Sequence, residues 1–365
     1  NRIDHTAFSC LFIYGKGPED FNLHQSYQVP TIKIPINEDY SLAVPQLSKW
    51  RIEEALDNFE PDVIHITTPS LLGFFAMKYA RRNNIPIISI YHTHFISYIA
   101  YYLRNISSLI KPAEYWVRKA MVRFYNSCQK VYVPAHNIID ELREIGIESD
   151  RLTLWQRGID LRLFNPEKSD ANYIRQITKN GKPNILFASR LVWEKNVQTL
   201  IDIYKQLKKS KIEYNLIIAG DGSAKHAAQE LMPTAFFLGK LNHQELSKLY
   251  ASSDVFVFTS TSETYGNVVI EAMASGLPCV IANGGGSGSL IDHGQTGYKC
   301  VPNNALEYVY FIRKILSDPT VKEDFKKAGL AYVKKLDWAK LAKTYFDDIH
   351  ELATAPINSL AWASN

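Results

Sequence analysis

The chain predicts an α/β protein made of two doubly wound domains facing across a cleft, and three observations predict it. Its 365 residues are enough for two separate hydrophobic cores. Short apolar runs alternate with helical stretches along the whole sequence, the pattern of parallel sheets covered by helices on both faces. The series of apolar runs also occurs twice. Between the two lies a charged stretch with Pro166 and Asn180-Gly181, from Asn165 to Pro183, which reads as a linker. The expected division is 1–165 and 166–337, with an amphipathic helix over 338–352 packing back toward the first unit.

In the first unit, apolar runs predict strands near 9–14, 62–67, 86–92, 129–134 and 151–155. Helical spacing fills 45–59, 70–83, 97–105, 112–127 and 135–146. The second unit repeats the pattern with strands near 184–189, 214–219, 235–238, 254–258, 278–282 and 298–301. Composition is that of a globular protein, with 46% hydrophobic and 21% charged residues. A net charge of +4 is too weak to argue for nucleic acid, but it leaves room for a local basic patch. Cys10, Cys128, Cys279 and Cys300 are scattered without a C-x-x-C pair, as expected of reduced thiols rather than a disulfide frame or zinc site. No signal peptide or membrane-spanning run is apparent, so a cytoplasmic location is expected.

The most informative stretch is Glu263-Thr-Tyr-Gly-Asn-Val-Val-Ile-Glu271. The apolar strand before it places Glu263 at a strand's carboxyl end, where open α/β sheets bind ligands. A helix starting near Gly266, Asn267 and Val268 offers free amides to an anion. Glu271 follows about one turn later, on the side facing whatever the helix start holds. Arg190 ends the first strand of the second unit, and Lys195 follows in the next loop, so the two can clamp a diphosphate. Gly220 and Gly222 form a tight turn that either serves the fold alone or lets backbone approach a nucleotide. Gly284-Gly-Gly286-Ser-Gly288 lacks the third glycine of a dinucleotide fingerprint and reads as a flexible loop. In the first unit, His92 ends a strand and either supports the fold or points into the cleft. His94 shares its face; no third ligand suggests itself, so no metal is expected. Beyond it, Phe95, Tyr98, Tyr101, Tyr102 and Arg104 lead to Lys111, Tyr115, Trp116, Arg118, Lys119, Arg123 and Phe124. This tract reads either as a membrane-facing surface or as a helix pair with buried aromatics and a solvated basic face.

Together these residues resemble the retaining glycosyltransferases of family 4, which have the GT-B fold of two Rossmann-like domains. The resemblance rests on Ser189-Arg190-Leu-Val-Trp-Glu-Lys195, Ala219-Gly-Asp-Gly222, Ala251-Ser-Ser-Asp254, the stretch from Glu263 to Pro278, and Trp155-Gln-Arg157-Gly-Ile-Asp160 followed by Phe164-Asn-Pro166. The wording is closest to the lipid α-mannosyltransferase and sulfoquinovosyl transferase branch. The resemblance implies that Arg190 and Lys195 bind the donor diphosphate and that Glu271 holds the ribose. It also implies that Glu263 contacts the transferred sugar, that the Gly266–Val268 amides face the donor, and that His92 touches the sugar near its reacting carbon. It makes the first unit the acceptor side and the second the nucleotide-sugar side.

The implied activity is retaining transfer of a hexose from a nucleotide diphosphate sugar to a lipid or glycan hydroxyl. GDP-mannose is the favoured donor and a UDP-sugar the other; no cofactor is required. Peripheral contact with an anionic membrane at its inner face is expected. Family members open with a strand and a glycine-rich loop, and nothing before Ser9 resembles them. A fragmentary N-terminus is therefore expected, because the chain starts at Asn1 and the remaining site residues are intact. The competing reading is an inactive membrane-associated scaffold of the same fold, and a nicotinamide dehydrogenase lacks a proper fingerprint after any strand.

Overall fold

The computed structural model describes residues 3–18, 24–34, 37–94, 96, 99, 106–210 and 212–355. The second half folds on one parallel sheet of β9 (Asn184–Ala188), β10 (Asn215–Ala219), β11 (Phe236–Gly239), β12 (Val255–Phe258), β13 (Cys279–Ala282) and β14 (Tyr298–Cys300). Their spatial order is β11-β10-β9-β12-β13-β14. The strand order therefore reverses between the parallel neighbours β9 and β12, and the crevice at their carboxyl ends is the natural ligand site of such a sheet. β9, β10, β12 and β13 are buried along their whole length, which explains their continuous apolar sequence. Two cores lie on opposite faces of this sheet. One gathers Phe187, Leu200, Tyr204, Val257 and Ile312; the other gathers Leu186, Tyr250, Phe256, Ile270 and Met273.

The first half contains a parallel sheet of β5 (Ile64–Ile66), β6 (Ile87–Ile90), β7 (Lys130–Val133) and β8 (Leu152–Leu154), hydrogen-bonded in that order. Helix α2 (Leu71–Arg82), α3 (Ile110–Tyr125) and α4 (His136–Glu144) supply Met77, Phe124 and Ile138 to its core. β1 (Leu11–Tyr14) pairs in parallel with β2 (Gln25–Gln28), and β3 (Thr31–Ile34) pairs antiparallel with β4 (Asn37–Ala43). Among the described residues, neither pair is hydrogen-bonded to the four-stranded sheet. β1 packs instead through Leu11 and Ile13 toward Ile52 and Leu56 of α1 (Lys49–Phe59). β2, β3 and β4 carry no long apolar run and were not anticipated from sequence. The helix expected over 97–105 lies outside the described residues apart from Ile99.

Two expectations need correction. The stretch 165–183 is not an open linker, because it contains α5 (Ala171–Thr178). Asp170 caps this helix by accepting the amides of Asn172 and Tyr173 at 3.0 Å, and Ile174 is buried in the second core. The glycine run is not a flexible loop either, because Gly286–Leu290 forms a 3-10 turn with Gly286, Ser287, Gly288 and Leu290 buried.

The final helix, α12 (Trp338–Thr354), closes the molecule against the first sheet. Asp348 accepts the Tyr132 hydroxyl at 2.6 Å and pairs with Lys130 at 2.7 Å. The Tyr345 hydroxyl lies 2.6 Å from His65 Nδ1, and the Trp155 indole donates to the Leu341 carbonyl at 3.1 Å. Although His65 keeps solvent contact, the groups packed around its imidazole and the neighbouring His92 push its pKa down to about 4.

Candidate active site

The turns after β9 and β12 meet at the sheet's switch point. The Thr259 hydroxyl donates to the carbonyls of Lys195 and Asn196 at 3.2 and 3.0 Å, and the Ser262 hydroxyl donates to the Glu194 carbonyl at 3.0 Å. These bonds fix Lys195, whose side chain is only 7% exposed, beside Glu263, 24% exposed, with Nζ 2.6 Å from Oε1. Sequence reading set both residues in the site; their direct pairing is a tertiary result. Arg190 lies apart from this pair, 57% exposed and 3.9 Å from Glu194.

Helix α9 (Asn267–Ala274) follows Glu263 after a turn through Gly266, whose φ is +101°. A side chain there would bring its Cβ within 2.7 Å of Ser287 Cβ, so glycine is required by conformation and by space. Asn267 and Glu271 line a cleft cavity, whereas Val268 packs on the second core. Glu271 accepts the Tyr250 hydroxyl at 3.2 Å. Burial raises the Glu271 pKa above the ordinary glutamate value, and the Tyr250 bond opposes this.

Gly220 and Gly222, at φ +139° and +152°, press against the backbone of Ser189 and Leu191, so the fold itself demands them. The Gly222 amide is already taken by the Asp221 carboxylate at 2.8 Å. These contacts give both glycines a structural role.

The cavity, of about 750 Å³, lies between the two sheets. The first half contributes Thr67, Ile90, His92 and Trp155, and the second contributes His243, Tyr265, Asn267, Ile270 and Glu271. His92 is exposed, and its carbonyl accepts the Thr264 hydroxyl at 3.1 Å, tying the turn after β6 to the Glu263 turn. A second tie runs from the Asn137 amide to the Gly285 carbonyl at 2.6 Å. His94 lies 2.8 Å from Glu141, within the first half. Among the described residues, no group of three or more His, Cys, Asp or Glu side chains is placed to hold a metal. Sequence reading missed Arg157, Asp160, His243, Tyr265 and Trp338 as cavity residues. Arg157 and Asp160 lie in the junction motif and Tyr265 in the Glu263–Glu271 stretch, and those motifs carry the signal.

Helix α3 divides its aromatics between two environments. Phe124 is buried in the first core, while Tyr115 and Trp116 are 59% and 64% exposed. Lys111, Arg118, Lys119 and Arg123 are all exposed, with the Lys119 ammonium 5.5 Å from the Trp116 ring centroid. The reading with buried aromatics and a solvated basic face holds for Phe124, while Tyr115 and Trp116 stay exposed beside the cations. Phe95, Tyr98, Tyr101, Tyr102 and Arg104 lie outside the described residues. No described helix is long and apolar enough to cross a membrane.

Two parallel-sheet units facing across a cleft give the chain the GT-B fold of glycosyltransferases. A family model described as Glycosyltransferase Family 4 matches residues 9–163, and one described as Glycosyl transferases group 1 matches 169–331. The chain belongs to the family 4 glycosyltransferases. It is similar to the sulfoquinovosyl transferase of Arabidopsis thaliana, with 36% identity over 79% of this chain and 56% of that protein. The GDP-mannose-dependent alpha-mannosyltransferase of Mycobacterium tuberculosis (strain CDC 1551 / Oshkosh) is 33% identical over 74% of this chain and 68% of that protein. The chain thus spans little more than half the length of the plant relative. Its fold is similar to that of Anabaena HepE, solved in complex with UDP and glucose, at a TM-score of 0.69 and 18% identity, covering 90% of this chain and 86% of that one.

Proposed function

We propose that the chain transfers a hexose from a nucleotide diphosphate sugar to a lipid or glycan hydroxyl, with retention at the anomeric carbon. The observation that carries this reading is the Lys195–Glu263 pair at the switch point, 2.6 Å apart. It offers a cation for a leaving phosphate beside a carboxylate for sugar hydroxyls. A hydrolase would need two carboxylates flanking the bond and no phosphate-binding cation.

In the proposed reaction, the bond from the anomeric carbon to the diphosphate breaks as the acceptor oxygen attacks from the same face. The acceptor proton passes to the departing phosphate, whose growing charge Lys195 and Arg190 neutralise. Glu271 holds the ribose hydroxyls and His92 the sugar. Mannose from GDP-mannose is the favoured donor, supported by the alpha-mannosyltransferase relative; a UDP-sugar is the other. Membrane contact through the exposed face of α3 is part of the proposal, since it would bring a lipid acceptor to the first unit.

A thermal-shift screen across GDP-, UDP- and ADP-sugars, followed by NMR of the product, tests this. GDP-mannose should raise the melting temperature most and yield an α-linked product. An inverted anomeric centre, or no transfer to any membrane lipid or glycan, overturns the reading. His92→Ala should cut turnover with nucleotide affinity nearly unchanged.

A further inference from the structure

Among the described residues lining the cleft cavity, Arg157 is the only permanent cation. It lies just after β8, where the chain crosses toward the second sheet. Its surroundings hold the backbone firmly. The Trp155 amide donates to the Val133 carbonyl at 2.9 Å, the Tyr265 hydroxyl donates to the Arg157 carbonyl at 3.1 Å, and the Ile159 amide donates to the Leu336 carbonyl at 3.3 Å. Its guanidinium, half-buried, donates no hydrogen bond and forms no ion pair among the described residues. Arg151 shows the contrast, because its buried guanidinium is satisfied by Glu148 at 3.0 Å and the Cys128 carbonyl at 3.1 Å.

The acids nearby are engaged elsewhere. Glu263 is held by Lys195 at 2.6 Å, Glu271 accepts the Tyr250 hydroxyl at 3.2 Å, and Asp160 accepts the Arg162 amide at 2.9 Å. Arg157 feels the field of Tyr265 and of Glu263, but Glu263 is already paired with Lys195, so a charge partly withdrawn from water is only weakly compensated, which is costly. A guanidinium fork, with five donors in a plane, suits a phosphate oxyanion in two-point contact.

We infer that Arg157 is an anion-binding residue of this cleft and takes one phosphate oxyanion of a substrate, distinct from the contacts proposed for Arg190 and Lys195. The oxyanion comes from the donor diphosphate or from an anionic acceptor headgroup. This deepens the proposed transferase reading and rests on it.

Calorimetry tests it with GDP, UDP and their nucleosides as donor probes and sn-glycerol 3-phosphate as headgroup probe. The proteins are the parent chain, Arg157→Gln, Arg157→Lys and, separately, Lys195→Ala. If the donor supplies the oxyanion, Arg157→Gln weakens diphosphate binding tenfold or more, leaves the nucleoside unchanged, and is partly rescued by Arg157→Lys. If the acceptor supplies it, the same variant loses glycerol phosphate binding and keeps the diphosphate. Unchanged affinity for both probes in a variant that melts normally overturns the inference. So does a fall in melting temperature in both variants with nucleoside affinity lost alongside, since that marks a structural arginine. Diphosphate affinity lost in Lys195→Ala but kept in Arg157→Gln, with glycerol phosphate also unaffected, overturns this inference and leaves the donor reading standing. If the parent binds no nucleoside diphosphate, the donor reading fails, and glycerol phosphate alone decides the role of Arg157.

Discussion

Lys195 Nζ lies 2.6 Å from Glu263 Oε1, so the cation proposed for the diphosphate and the carboxylate proposed for the sugar are already paired with each other. A diphosphate drawing on Lys195 competes with Glu263, and the pair links donor binding to the orientation of the sugar contact. Lys195→Ala leaves a largely buried carboxylate alone, and removing one partner of a buried pair costs about 3–5 kcal/mol. Glu263 keeps some solvent contact, which places the expected loss at the lower end. Urea unfolding of Lys195→Ala, Glu263→Ala and the double variant should show a double loss smaller than the sum of the single losses. Additive losses would mean the pair carries no coupling. In kinetics, Lys195→Ala should lower kcat by about 2–4 kcal/mol of barrier, and an effect confined to KM would reduce its role to ground-state binding.

Glu271 is held at a cost to the fold. Its folded pKa is raised by burial above the ordinary 4.5. The folded state therefore binds the proton more tightly than the unfolded chain. The stabilising contribution is full below the unfolded value and is lost as pH rises through the folded one. Glu271→Gln should accordingly raise the melting temperature at neutral pH, with the gain shrinking as pH falls toward 4.5. The same change should weaken donor binding by about 1.5–3 kcal/mol, the worth of a charge-assisted hydrogen bond. A variant no more stable at neutral pH, with unchanged donor affinity, would remove Glu271 from the site.

Gly266→Ala should destabilise the protein by about 1–3 kcal/mol, because a strained backbone is added to a steric clash. Its φ is +101°, and the new Cβ meets Ser287 Cβ at 2.7 Å. Relief of that clash displaces the start of α9, so donor affinity should fall with stability. Denaturant melts and calorimetry on the same preparation would show whether the two losses occur together.

The exposed face of α3 predicts salt-sensitive vesicle binding. Lys111, Arg118, Lys119 and Arg123 should contribute about 1 kcal/mol each near an anionic leaflet, with Trp116 and Tyr115 entering the interface. Co-sedimentation of the parent with anionic vesicles should fall steeply between low and physiological salt. The four-fold glutamine variant should bind weakly at both. Equal partitioning of the two proteins would end the membrane proposal and favour a soluble acceptor.

The strand, turn and helix running from Val255 to Ala274 were legible because every signal there is local. A continuous apolar run marks a strand buried on both faces, and Gly266 marks a turn that other residues do not fit. The same logic places most helices and parallel strands within a few residues. Local signals also misled. Asp170 is a good helix cap, but the surrounding charges and Pro166 made 165–183 read as a linker, and only the burial of Ile174 shows why α5 forms. β2, Gln25–Gln28, has no apolar periodicity and exists through its pairing with β1. Gly220 and Gly222 suit a ligand and a turn equally in sequence, and only the tertiary structure shows how closely they approach the backbone of Ser189 and Leu191.

The sequence by itself determined the two-unit α/β architecture and marked the two turns of the candidate site, with the cations and carboxylates at their tips. Periodicity, caps and turn residues act over a few positions and are written in order along the chain. Only the tertiary structure decided that Lys195 pairs with Glu263 rather than standing free. It alone left Arg157 without a hydrogen bond or ion pair from its guanidinium among the described residues, and gave Phe124 to the core while leaving Trp116 outside. Those outcomes depend on which distant groups come within hydrogen-bond reach and which lose water. Pairing and desolvation are set when neighbouring strands and their helices pack, and when the two units meet, across separations that no local pattern encodes.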